Sequence, residues 1–104
     1  NKFKYNGVEW SLSNENFLVL KAVYLLSEET GFSGDVITYK EIIAKFKAIT
    51  GRKNIDNDKV TRVFNTKSAD RSIFKKHKEW EIYNGEKVFN LVWSIGIEFR
   101  NPII

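Results

Sequence analysis

The chain is 104 residues long, 42% hydrophobic and 29% charged, with a net charge of +4 and no cysteine. That length suits one domain around a single core, and the lack of cysteine excludes a disulfide framework, a thiolate nucleophile and a cysteine-ligated zinc or iron–sulfur centre. The longest apolar run, Phe17 to Leu20 and Ala22 to Leu26 broken by Lys21, is shorter than the ~20 residues of a membrane-spanning helix, so no membrane partner is expected and the expected location is cytoplasmic.

The start, Asn1 to Tyr5, has neither an initiator methionine nor the apolar core of a signal peptide, so residues 1–104 are expected to be a single domain cut from a longer protein. Phe3, Tyr5, Val8, Trp10 and Leu12 alternate with polar residues across Asn6-Gly7. A two-residue turn there pairs Tyr5 with Val8 and Phe3 with Trp10, with the large apolar side chains on one face. Ser13 is a helix N-cap, and Phe17 to Leu26 is too apolar for a surface helix, which predicts a central core helix ending near Gly31.

Val36-Ile37 predicts a short strand, and Thr38-Tyr39-Lys40-Glu41 has the spacing of a capping box. The second helix follows, with Ile42, Ile43, Phe46 and Ile49 as its apolar stripe, Lys40, Lys45 and Lys47 solvated, and Gly51 as its stop. Asp56 caps a third helix over 56–67, whose buried edge is Val60, Val63 and Phe64. Helical phase fails near Ser68 to Asp70, and Ile73 and Phe74 restart a short turn. From Trp80 two strands flank Asn84-Gly85, Trp80 lies opposite Phe89, and Leu91 and Trp93 continue the inward face. The tail, Ser94 to Ile104, reads as extended or irregular.

Charge is unevenly placed along this order. Arg52 to Lys78 holds nine basic residues against three acidic ones, a net +6, while the rest of the chain carries eight against ten, a net −2. A basic segment confined to one region points to a polyanion.

Hairpin, helix, short strand, capped helix, basic helix and hairpin make an α+β fold of the winged helix-turn-helix plan: a three-helix core with an N-terminal β-hairpin and a C-terminal β-hairpin wing. On Leu12-Ser13-Asn14-Glu15-Asn16-Phe17, Ile37-Thr38-Tyr39-Lys40-Glu41 and Val60-Thr61-Arg62-Val63-Phe64, the chain resembles the C-terminal effector domains of OmpR-like response regulators over residues 3–93. It departs from them in having one hairpin before the helices, Asn65-Thr66-Lys67-Ser68 in place of their basic motif, and no glycine-tyrosine ending to the wing. A more distant winged-helix domain of a plasmid replication initiator, phage or mobile-element protein fits equally well.

The resemblance implies sequence-specific binding of double-stranded DNA in transcriptional regulation, with the helix around 56–67 in the major groove. Arg reads guanine and Asn reads adenine by bidentate hydrogen bonds, which makes Arg62 and Asn65 the base-reading candidates. Lys53, Asn57, Lys59, Thr61, Thr66, Lys67 and Arg71 are phosphate or flanking contacts. Lys87, in the wing tip Asn84-Gly85-Glu86-Lys87, reaches an adjacent groove or the backbone. Thr38, Tyr39 and Lys40 offer backbone N–H groups at a helix start. Lys75, Lys76, His77 and Lys78 read either as a DNA backbone patch or as a solvated loop.

Catalysis is not expected. His77, the single histidine, sits among lysines that disfavour its protonated form, away from any cysteine or carboxylate pair. Gly31-Phe32-Ser33-Gly34 lacks the Lys-Ser/Thr of a nucleotide-binding loop, and no cofactor or metal is expected. The rival reading is a winged-helix scaffold for protein association through its aromatic hairpins, as a homodimer or against a covalently linked regulatory domain.

Overall fold

A two-residue separation between paired strands sets the first element. In a computed structural model, which describes residues 2–5, 8–11, 13–31, 33–65, 72, 82–83, 86–87, 89–92 and 95–99, β1 (Lys2–Tyr5) pairs antiparallel with β2 (Val8–Ser11). The register joins Phe3 to Trp10 and Tyr5 to Val8, as the alternation around Asn6-Gly7 requires. Leu12 lies outside the described residues.

Ser13 has extended backbone, and its hydroxyl accepts the Asn16 N–H, which opens α1 (Asn14–Glu29). Val19, Leu20, Ala22 and Val23 on this helix are fully buried, while Leu18, Tyr24 and Leu26 pack around them. α1 is therefore the central helix, touching both other helices and the sheet. Its buried Ser27 hydroxyl donates to the Val23 carbonyl at 2.9 Å, so burial leaves that hydroxyl satisfied.

After β3 (Val36–Thr38) comes α2 (Tyr39–Thr50). The Thr38 hydroxyl accepts the Glu41 N–H at 3.2 Å and donates to Glu41 Oε1 at 3.0 Å. In a standard capping box the glutamate returns to the N-cap backbone N–H; here it meets the N-cap hydroxyl. The Thr38 hydroxyl thus takes part in both bonds, and Thr38→Ala should cost about 1 kcal/mol, lowering Tm by about 4–8 °C in thermal denaturation. An unchanged Tm would show that Glu41 alone holds the helix start. Gly51 ends α2 in the left-handed conformation (φ 70°), with its N–H on the Lys47 carbonyl.

α3 (Asn57–Phe64) is capped by Asp56, whose carboxylate accepts the Lys59 N–H at 2.9 Å. The helix is shorter than the expected 56–67, because Asn65 is already extended (φ −87°, ψ 116°). Two turns suffice to bury Val60, Val63 and Phe64, and the next stripe positions, Lys67 and Ser68, are polar. Nothing apolar rewards a third turn.

Short strands β4 (Ile82–Tyr83) and β5 (Glu86–Lys87) pair around residues 84–85, with Tyr83 opposite Glu86. β6 (Phe89–Val92) and β7 (Gly96–Phe99) follow. Of the tail expected to be extended or irregular, Gly96–Phe99 is extended: β7 is the central strand of an antiparallel sheet in the order β3-β7-β6. Ile37, Ile97 and Leu91 line up across the sheet, and Phe99 lies opposite Phe89. On the alternate row, Asn90 Nδ2 donates to Glu98 Oε1 at 2.8 Å.

The inward row meets the helices through rings. Phe89 stacks on Phe99 with centroids 4.6 Å apart, Phe64 of α3 lies 5.1 Å from Phe89, and Tyr24 of α1 lies 6.2 Å from Phe99. Such pairs add about 0.5–1.5 kcal/mol each beyond area burial. They fix α3 against the end of the sheet. The expected break at 68–70, the turn at Ile73-Phe74, and the positions of Trp80 and Trp93 lie outside the described residues.

Candidate nucleic-acid interface

A hydrogen bond between two polar candidates joins the two helices. Thr61 Oγ1 donates to the Tyr39 hydroxyl at 3.1 Å, tying the middle of α3 to the start of α2. Tyr39 is only 5% exposed and belongs to the core, and its backbone N–H donates to the Ile95 carbonyl at 3.1 Å. Tyr39 therefore ties the start of α2 to α3 and to Ile95. Tyr39→Phe should cost about 0.5–1.5 kcal/mol in urea denaturation, with an unchanged m-value, since the ring stays buried and the same surface is exposed on unfolding; a fall in m would place the effect in a loosened native state.

The start of α2 is less open to anions than its sequence implies. Of the N–H groups that a helix start leaves over, Tyr39's is taken by Ile95 and Glu41's by the Thr38 hydroxyl. The Lys40 side chain is exposed beside them.

On α3 the edge formed by Val60, Val63 and Phe64 faces the core, so the opposite side presents Asp58 and Arg62 one turn apart, flanked by Asn57 and Thr61. Arg62 is half-buried, while Asn57 and Asp58 are exposed. Lys59 turns back: its Nζ donates to the Asn54 carbonyl at 3.0 Å and lies 3.7 Å from Glu15 of α1. That lysine fastens the 51–56 connection and α1 to the start of α3. Arg52 and Lys53 stand exposed in the same connection. Among the described residues, Lys40, Lys47, Arg52, Lys53 and Arg62 form no ion pair.

The structure thus brings Thr38, Tyr39, Lys40, Asn57 and Thr61 together, with Arg62 on the outer side of α3 and Lys53 exposed in the connection before that helix. Asn65 is half-buried and off the helix. Thr66, Lys67 and Arg71 lie outside the described residues, as do Lys75 to Lys78 and the turn residues Asn84 and Gly85. Of the net +6 between Arg52 and Lys78, the described part up to Asn65 carries four bases and two acids, a net +2.

Strand direction also bears on the expected wing. Gly96 is opposite both Thr38 and Val92, so the paired ends of β6 and β7 lie at the start of α2. Lys87 precedes Phe89 by two residues, at the far end of β6. Ile95, 53% exposed, stands at the near end, just before β7, and was not a candidate. Lys47 also joins the set, since it lines a groove of about 600 Å³ with Thr38, Tyr39, Lys40, Ile43, Ala44, Asn57 and Ile95. Its signal in the sequence was its seven-residue spacing from Lys40, which places both on one side of α2.

Among the described residues no cluster of metal-ligating side chains occurs and no helix is long and apolar enough to cross a membrane. Comparisons with protein-family models, curated proteins and solved structures found no match to the chain.

Proposed function

We propose that the chain is a winged-helix domain that binds double-stranded DNA through the outer side of α3, in the service of transcriptional regulation. Two features of the fold support the winged-helix reading. The strand leading into α2 pairs with the last strand, and α2 and α3 pack as consecutive helices against α1.

The observation that carries the DNA reading is α3 itself. It is capped by Asp56, docked by its apolar edge, and tied by Thr61 to Tyr39, while Arg62 projects from the side away from the core and Arg52 and Lys53 lie exposed just before it. An α-helix is about 10–12 Å across with its side chains, which fits the major groove of about 12 Å, and the outer side of the short α3 offers one long base-reading side chain. Arg62 fills that role. Lys53, Arg52 and Lys40 supply phosphate contacts, and Asn57 stands at the edge of the interface. Asp58, one turn before Arg62, opposes close phosphate approach on that side and restricts the docking angle.

A gel shift with duplex DNA and a sizing measurement on the same preparation test the reading. A retarded complex from a monomeric or dimeric protein supports it. Stable self-association with no DNA complex at low ionic strength supports the association scaffold instead.

A further inference from the structure

The groove at the start of α2 has a chemistry that duplex DNA does not use. Its lining combines an apolar floor strip, Ile43, Ala44 and the exposed Ile95, with Lys40 and Lys47 at the two ends of the same face of α2. Seven residues of helix separate the two lysines, about 10 Å along the axis. Beyond Asn57 the groove continues into a second depression that includes Asp56 and Asp58. A phosphate backbone has no apolar surface to set on Ile95 and Ile43, and the carboxylates of Asp56 and Asp58 confine any acidic ligand to the end lined by Lys40, Ala44 and Ile95. The N–H groups of Tyr39 and Glu41, which would otherwise receive a phosphate, are already bonded.

Ile95 is also rigidly placed. Its N–H donates to the Val92 carbonyl at 3.1 Å and its own carbonyl accepts the Tyr39 N–H. An exposed branched side chain held this way costs little entropy when covered, which favours a preformed docking surface.

We propose that this groove docks an acidic amphipathic helix of another protein, with the apolar face of that helix on Ile43, Ala44 and Ile95 and its carboxylates on Lys40 and Lys47. Apolar anchors at helical spacing suit the floor, and the two lysines select acidic flanks over basic ones. The groove borders the proposed DNA face at Lys40 and Asn57, but the inference stands without DNA binding.

The test is NMR titration of the isotope-labelled chain with a synthetic helical peptide carrying leucine on one face and glutamate on the other. A matched peptide with lysine in place of glutamate is the control. Expected are amide shift changes confined to 38–47, 57 and 95, a Kd of about 10–100 μM, and a loss of about tenfold or more in affinity for Ile95→Ser and for the Lys40→Ala/Lys47→Ala pair. Lys21→Ala, exposed on α1, should bind as the parent does. Absence of binding, equal binding of the lysine peptide, or shift changes outside the groove would overturn the proposal. So would duplex DNA perturbing the groove floor while the acidic peptide leaves it unchanged.

Discussion

Replacing Gly96 with alanine is expected to destabilise the protein more than any other single substitution considered for this chain. A Cβ built on Gly96 lies 1.9 Å from the Ile37 carbonyl oxygen, 2.7 Å from its carbonyl carbon and 2.9 Å from Thr38 Cα. All three are backbone atoms, so no rotamer change relieves the clash and the strands must separate. β7 pairs on both sides at this residue, with Thr38 and with Val92. Separation there breaks the sheet at its centre, draws Ile95 from the Tyr39 N–H, and disturbs the buried Ile37 and Ile97. A cost above about 4 kcal/mol is expected, beyond the usual range for a single substitution and a large part of the roughly 5–15 kcal/mol that holds such a domain.

Gly51 provides the contrast. It is left-handed at φ 70° with open space around it, so Gly51→Ala should cost only about 1–2 kcal/mol, the price of the backbone conformation. Urea denaturation followed by circular dichroism separates the two. Equal, small effects would mean that β3 does not approach β7 as closely as described.

The second large effect concerns Arg62. If it reads a base edge, Arg62→Ala should weaken duplex binding by about 5- to 150-fold, the equivalent of about 1–3 kcal/mol, and relax preference at one base pair. Arg62→Glu should abolish binding, because it adds a repelled carboxylate beside Asp58. Both variants should keep the parent's Tm within a few degrees, since Arg62 is half-buried and lacks an ion pair among the described residues. Anisotropy titrations at fixed salt give the ratio. Wild-type affinity for Arg62→Glu would remove α3 from the interface.

Local chemistry made much of this fold legible. Ser13, Thr38 and Asp56 cap their helices by the short polar side chains that their positions implied, and Gly51 stops α2 in the conformation glycine tolerates best. The pairing of Phe3 with Trp10 followed from alternation about an Asn-Gly pair. The central place of β7 was not legible because its partner β3 lies about sixty residues earlier, and its defining residue, Gly96, is required by the approach of a distant backbone. Local pattern carries no record of that approach.

The site shows the same division. The sequence offers the Tyr39 N–H and the Lys59 side chain to DNA; in the structure that N–H donates to Ile95, and Lys59 reaches Asn54 and Glu15. Tertiary partners decide such assignments. The end of α3 at Phe64 moved Asn65 off the helix, where its neighbours in sequence had implied a base-reading role. Lys47 and Ile95 became part of a groove only when α2, α3 and the residue before β7 met.

DNA binding is the central claim, and its salt dependence tests it most directly. Neutralising about five phosphates gives a linear fall of log K with log salt at a slope of about −4.5. Fluorescence anisotropy with a labelled duplex from low to physiological salt should yield that line, with the slope shallower by about one for Lys53→Ala. Duplex binding that is undetectable at low ionic strength, or that does not change with salt, would contradict it.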